Sequence, residues 1–302
     1  MMAFALAAGS AHALELHSSE TSSVALDGEL FIYYENTNSG RILGDGSSIA
    51  FNAASTLESG LTITGNVSFE FEADAANTTA IEIVDSYVDF AGSFGSLTIG
   101  NFDGVYYQAV SSVMDLYQVY GYLALNDGGI GSLGDSVAYT STDMNGFKFM
   151  LQAKHYEDTI TVSGDEEWVM QAAMTYTLDN MTFALGAVDN NADAGKSGEA
   201  LIGFSMTYAM DDLTLMLLVE NEKNVGVEDL HLALGASYDF GKGAVYGSIG
   251  NEPLLDESYL SMGVTYVMAD ALSLFAEVSN GDIFGLVAGD DTAITLGMSF
   301  TF

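Results

Sequence analysis

Apolar and polar residues alternate along most of this chain in runs of about ten, each run ending in a small cluster of Gly, Asn, Asp or Ser. Leu61–Phe71 shows it best: Leu61, Ile63, Val67, Phe69 and Phe71 fall on one face, and Thr62, Thr64, Asn66, Ser68 and Glu70 on the other. A period of two with one oily and one wet face predicts a β-strand standing between two media. Val24–Tyr34 repeats the pattern, with Leu26, Leu30, Ile32 and Tyr34 against Asp27, Glu29 and Tyr33. So does Thr292–Phe302, to its last residue. Read throughout, the pattern predicts strands at 24–34, 48–56, 61–71, 83–91, 96–100, 136–142, 147–155, 167–178, 181–188, 200–209, 213–220, 230–240, 244–250, 258–267, 271–280 and 292–302. That is sixteen, and an up-and-down barrel closes with an even number.

The connections come in two kinds. Asp143-Met144-Asn145-Gly146 carries Asn-Gly, a strong hairpin signal. In the second half, Tyr176, Tyr208, Tyr238 and Tyr266 recur at intervals near 30, each just before a short turn. The far ends of these hairpins carry longer polar loops at 190–199, 222–229, 252–257 and 281–291. Short turns at one end and long acidic loops at the other are the two-ended character of a transmembrane barrel. The tyrosines then form an aromatic girdle at the turn rim, and Trp168 belongs to the opposite one.

One stretch breaks the rhythm. From Asn101 to Asp135 no alternation is found for 35 residues, and it resumes at Ser136. The stretch is rich in Tyr, Val and Leu, unlike a disordered segment, and it carries Asp103, Asp115, Asp127 and Asp135 with no Lys or Arg. We expect it to fold into the lumen and narrow it, an ordinary surface loop being the alternative.

Composition fits a membrane barrel. Hydrophobic residues make up 49% and mean hydropathy is +0.24, yet no run approaches the ~18 apolar residues of a membrane helix. The formal net charge is −36, with six basic residues, which argues against nucleic acid as a partner and points to cations or to life in high salt, where acidic surfaces stay hydrated. There is no Cys, hence no disulfide framework or thiolate metal site. Residues 1–13 read as the remnant of a secretory signal ending at Ala11-His12-Ala13, with the barrel as a single unit over 14–302.

Catalysis finds no support: G-x-S-x-G, H-E-x-x-H and phosphate-cradling loops are all missing, and no nucleophile–base pair can be named, so the chain is read as not an enzyme. His155 ends a strand on its lipid-side parity, and His231 is expected to point inward beside Asp239. The clusters Asp165/Glu166, Asp256/Glu257 and Asp290/Asp291 are candidate loop sites for Ca²⁺, though none has EF-hand spacing. Solvated loop charge is the preferred account, so no metal is assigned with certainty and no cofactor is expected.

Several segments together resemble the general porins of the Gram-negative outer membrane, in their acidic alphaproteobacterial form. They are Tyr87–Gly100 (YVDFAGSFGSLTIG) before the insert, Ser136–Tyr139 (SVAY) after it, Leu234–Phe240 (LGASYDF) and the terminal Phe302. The resemblance implies a 16-stranded antiparallel transmembrane β-barrel whose third loop folds inward as the constriction. It further implies a homotrimer, a latching second loop near Glu72–Ala80, and Phe302 as the assembly signal. Lipid and lipopolysaccharide would surround the barrel, and small hydrophilic solutes and ions would pass through it.

One departure from the family concerns the eyelet. General porins often face the acidic loop with arginines on the opposite wall. At the matching places (Ser48, Asn101 and Ser132–Ala138) this chain has none, and no basic residue lies between Arg41 and Lys148. Arg41, Lys148 and Lys154 are the nearby candidates for a positive wall. The expectation is passive diffusion with a preference for cations, since carboxylates facing water between low-dielectric walls select by sign. Two alternatives stand beside it. One is a sugar-type channel using Tyr106, Tyr107, Tyr117, Tyr120 and Tyr122 as a stacking track; the other is a secreted acidic β-rich adhesin.

Overall fold

The computed structural model describes residues 13–36, 41–44, 46–72, 81–120, 124, 135–156, 167–189, 200–224, 227–252, 257–280 and 292–302. Its strands are β1 (Leu14–Ser18), β2 (Ser22–Glu35), β3 (Arg41–Leu43), β4 (Ser47–Thr56), β5 (Thr62–Phe71), β6 (Glu82–Gly92), β7 (Gly95–Asn101), β8 (Ser136–Thr140) and β9 (Phe147–Tyr156). They continue as β10 (Glu167–Leu178), β11 (Met181–Val188), β12 (Leu201–Met210), β13 (Leu213–Asn224), β14 (Val227–Asp239), β15 (Gly243–Glu252), β16 (Glu257–Ala269), β17 (Leu272–Asn280) and β18 (Thr292–Thr301). A short helix, α1 (Val105–Ala109), and a 3-10 turn (Ser111–Met114) lie between β7 and β8.

From β4 onward each strand pairs antiparallel with the next, and β18 returns to β2, with Thr295 opposite Glu35 and Thr301 opposite Glu29. The barrel is therefore closed, with β2 and β4–β18 as its sixteen staves. Two short strands that the periodicity did not predict complete its seam. β3 pairs with Tyr33–Glu35 and continues the line of β4 beyond a kink at Gly46, where φ is +91°. Below the last residue of β18, Phe302 and Gly28 exchange both backbone hydrogen bonds at 2.9 Å. β1 then takes up the same edge, Leu14 opposite Leu26, so β2 presents little unpaired edge.

Side-chain exposure inverts the order of a water-soluble protein. Leu151, Met170 and Ile202 are 54%, 52% and 53% exposed, while Gln152, Gln171 and Ser205 beside them are buried. An oily outside and a polar inside are what lipid demands of a barrel wall. At the turn end, Tyr176, Tyr208, Tyr238 and Tyr266 all sit on the outward parity, and Tyr176 stacks on Phe147 with centroids 4.1 Å apart. Trp168 stands outward at the loop end against His155. The tight turns need left-handed residues, supplied by Asp179 (φ +52°), Asp211 (φ +48°) and Asn145 (φ +58°).

At the loop end the strands outrun the sequence pattern. The polar stretch expected as a loop at 222–229 is largely strand, pairing Lys223 with Glu228 and Asn224 with Val227. Likewise Glu257, expected in a loop, opens β16 opposite Glu252. Backbone ladders do not need lipid to persist, whereas hydrophobic alternation stops where lipid does.

The constriction and its two walls

The insert after β7 turns inward at once. Phe102 meets Tyr87 edge-on (5.9 Å, 74°), and Asp103 and Gly104 lead into α1. No side chain of the insert caps this helix. The barrel wall does so instead. Gln152 Oε1 accepts from Val105 N–H (2.8 Å) and Gln171 Oε1 from Tyr106 N–H (3.2 Å), satisfying donors that a helix start leaves free. A Cβ at Gly104 would stand 2.5 Å from Gln171 Oε1, so a side chain there would push aside the carboxamide that accepts from Tyr106 N–H.

Beyond α1 the insert follows the inner wall round the barrel. Val110, Met114 and Leu116 are buried with Leu201, Met216 and Leu218 in the largest apolar cluster. Tyr117 Oη shares a 2.8 Å hydrogen bond with Ser248 Oγ and donates to the Ser261 carbonyl at 2.8 Å. Burial pushes the Tyr117 phenol up to about 12. Gln118 N–H and Val119 N–H donate to the Glu277 carboxylate at 2.7 and 3.3 Å, and Tyr246 Oη donates to it at 2.7 Å. Tyr120 Oη donates to Glu35 on β2, and Ser279 Oγ donates to the Tyr120 carbonyl. The loop is thus fastened from β9 to β2 by wall side chains, and it lies inside.

Lumen remains on the other side. Between the stem of the insert and β5–β8 lies a cavity of about 420 Å³, lined by Asp85, Asp89, Asp103, Tyr87, Thr98 and Gln108 among others. Asp85 is held by Ser68, whose hydroxyl also accepts from Asp85 N–H (3.0 Å), and Asp89 by Thr98 Oγ1 (2.7 Å). Further round, Asn66 Nδ2 donates to Asn52 Oδ1 (2.7 Å) and Asn52 Nδ2 to Asp27 Oδ2 (2.6 Å), a polar ladder across three strands. Asp103 lies within electrostatic reach of Asp85, Asp115 and Lys154.

Of the four aspartates expected at the constriction, Asp103 and Asp115 lie in the lumen. Asp115 accepts from Tyr107 Oη, and burial, with Asp103 adding to it, holds its carboxyl above the usual range. Asp135 is exposed at the entry to β8, where its carbonyl accepts from His155 N–H. Asp127 lies outside the described residues. Among the candidates for a positive wall, Lys148 is exposed at the turn rim, level with Thr175. Lys154 is fully buried beside the loop, its Nζ without a hydrogen-bond partner among the described residues. Arg41 contributes backbone pairing with Glu35. Asp165, Glu166, Asp256, Asp290 and Asp291, the latch segment 73–80 and the signal segment 1–12 fall outside the described residues. No group of three or more metal-ligating side chains occurs among those described.

Sequence reasoning missed Asp85 and Asp89, whose only signal is an acid on the wet parity of a strand. It also missed the carboxylates that fasten the loop. His231, placed by parity on the face of Asp239, instead has Glu220 as its partner: the two are register neighbours, with Nδ1 3.2 Å from Oε2. Parity assigns a face but says nothing of distance along the strand. Of the tyrosines proposed as a sugar track, Tyr106 and Tyr117 are buried, Tyr120 is half-buried and all three hydrogen-bond to the wall. Tyr107 is buried and donates to Asp115 within the insert; Tyr122 is outside the described residues.

A closed barrel with a greasy outside, a polar inside and a loop fastened across its bore is a membrane channel. The family profile for Gram-negative porins matches residues 1–299, and the chain belongs to that family. Solved structures with the same fold include an anion-selective porin from Comamonas acidovorans (TM-score 0.73, 17% identity, covering 93% of this chain and 100% of that one). Salmonella typhi OmpF in complex with daunomycin is similar over 95% of this chain and 100% of that one (TM-score 0.78, 14% identity). So is a variant of the Rh. blastica porin, over 92% and 100% (TM-score 0.71, 13% identity). No curated protein matches in sequence. The protein is a multi-pass outer-membrane porin.

Proposed function

We propose that this porin passes small hydrophilic solutes by passive diffusion and prefers cations, working as a homotrimer among the lipid and lipopolysaccharide of the outer membrane. The observation that supports the sign preference is the lining of the lumen: Asp85, Asp89 and Asp103 surround the free cavity, and no basic residue lines it among those described. Carboxylates in a narrow aqueous passage between low-dielectric walls concentrate counter-ions. Lys154, behind the loop stem, offsets Asp103 in part but does not reach the cavity lining.

The test is a planar bilayer with a salt gradient. A reversal potential of the sign set by cations is expected, shrinking as salt rises because the Debye length falls from ~10 Å at 0.1 M to ~3 Å at 1 M. An anion-directed potential at low salt would refute the preference. Conductance steps in threes would support the trimer.

A further inference from the structure

The loop's closest approach to the wall falls on two glycines. Tyr106 and Val110, one helical turn apart, both face the wall there. Opposite them Gly186 on β11 and Gly203 on β12 are direct cross-strand partners, both on the inward parity. A Cβ at Gly186 would lie 2.8 Å from Tyr106 Cδ2 and 2.9 Å from Val110 Cγ2. A Cβ at Gly203 would overlap Tyr106 Oη and stand 2.7 Å from its Cζ and 3.0 Å from Val110 Cγ1. Neither glycine has a positive φ, so space rather than backbone freedom is what their missing side chains provide. Glycine inside a strand weakens it, and a close approach by another part of the chain is one reason to find it there.

The hydrogen bonding continues across the same row. Tyr106 Oη donates to Glu220 Oε1 at 2.7 Å, and Glu220 is the register partner of Gly203 on β13. Its other oxygen faces His231 on β14, and Tyr259 Oη lies 3.5 Å from the far ring nitrogen. Tyr106 therefore reaches this buried row only because its ring can lie flat in the two-glycine furrow.

We propose that the Gly186–Gly203 furrow sets the stand-off of α1 from the wall, and through it the bore of the channel, with Tyr106 as the positioning residue. A methyl group placed in the furrow forces α1 into the lumen, toward the cavity carrying Asp85 and Asp89. Restoring the ~3.5–4.0 Å of an ordinary carbon contact requires a retreat on the order of 1–2 Å. The inference uses the channel function but not its sign preference. Bore is read from conductance and size exclusion, the preference from reversal potential.

The experiment compares Gly203→Ala, Tyr106→Leu, Gly203→Ala with Tyr106→Leu, and Gly235→Ala in bilayers and in liposome swelling with uncharged sugars. Gly203→Ala should lose on the order of a quarter or more of its conductance and exclude smaller sugars, with the sign of the reversal potential unchanged. The double variant is read against Tyr106→Leu alone: with the ring gone and only Val110 Cγ1 left near the methyl, Gly203→Ala should cost little or no further conductance in that background. Gly235→Ala is the control. It lies under the same loop, but its Cβ would meet Leu116 and Met114 at 3.3 and 3.4 Å, where flexible ends can give way. Unchanged or increased conductance in Gly203→Ala overturns the proposal. Should that variant fail to assemble, the double variant decides against Tyr106→Leu alone: equal conductance supports the furrow, and a further drop on adding Gly203→Ala overturns it.

Discussion

The two halves of the inner wall use the same chemical group for opposite purposes. Beneath the loop, on β13, β17 and β2, Glu220, Glu277 and Glu35 are buried, and each accepts hydrogen bonds from the insert. Across the lumen, on β2 and β6, Asp27, Asp85 and Asp89 are half-exposed and, among the described residues, held by neighbouring wall side chains. A buried carboxylate between donors is a fastener, because removing it strands those donors without water. A half-exposed one facing an aqueous passage keeps its field for passing ions. Burial and donors, not residue type, separate mechanical from electrostatic acids here.

The comparison breaks most easily at Glu277. Replacing it with Ala leaves Gln118 N–H, Val119 N–H and Tyr246 Oη without their acceptor, a loss of about 3 kcal/mol. Urea unfolding in detergent should show the loss and single channels should become noisy, while a quiet channel with the wild-type midpoint would remove Glu277 from the fasteners. Next in size is joint replacement of Asp85, Asp89 and Asp103 by Asn. Each charge acts on a nearby ion with about 1 kcal/mol at contact in water, so the cation-to-anion permeability ratio should fall several-fold while stability barely moves. A large stability loss with unchanged selectivity would exchange the roles of the two walls. Smaller again is Asn52→Ala, which cuts the ladder between Asp27 and Asn66. About 1 kcal/mol is expected in the same unfolding assay, with selectivity unaltered.

How much of this was legible beforehand follows from what each feature depends on. The barrel was readable because lipid imposes a period of two on every stave; Leu61–Phe71 alone displays it. The inward loop was readable as a break in that period. The anchors were not, because Glu220 and Glu277 differ from any other inward acid only in what faces them across the bore, and that depends on a chain path more than a hundred residues distant in sequence. The glycine pair left a faint signal, Leu185-Gly186-Ala187 and Ile202-Gly203-Phe204 on the wet parity of adjoining strands. Nothing local says that Tyr106 fills the space.

Asp115 sits between the two kinds of acid, and its pH behaviour decides which it is. It lies on the loop, accepts from Tyr107 Oη as the fasteners accept from their donors, yet burial and Asp103 hold its carboxyl above the ordinary 3.8. A raised value means that the folded state favours the proton, so ionisation costs stability. The cost is absent below 3.8, grows as pH rises from there to the raised value, and is constant above it. Asp115→Asn cannot ionise and still offers Tyr107 an acceptor. The variant should therefore melt higher than wild type at pH 7, by on the order of 1 kcal/mol or less, and the gap should close on acidification toward pH 4. A variant less stable than wild type at pH 7 would make the ionised Asp115 a fastener like Glu277, held by Tyr107 more strongly than burial opposes it.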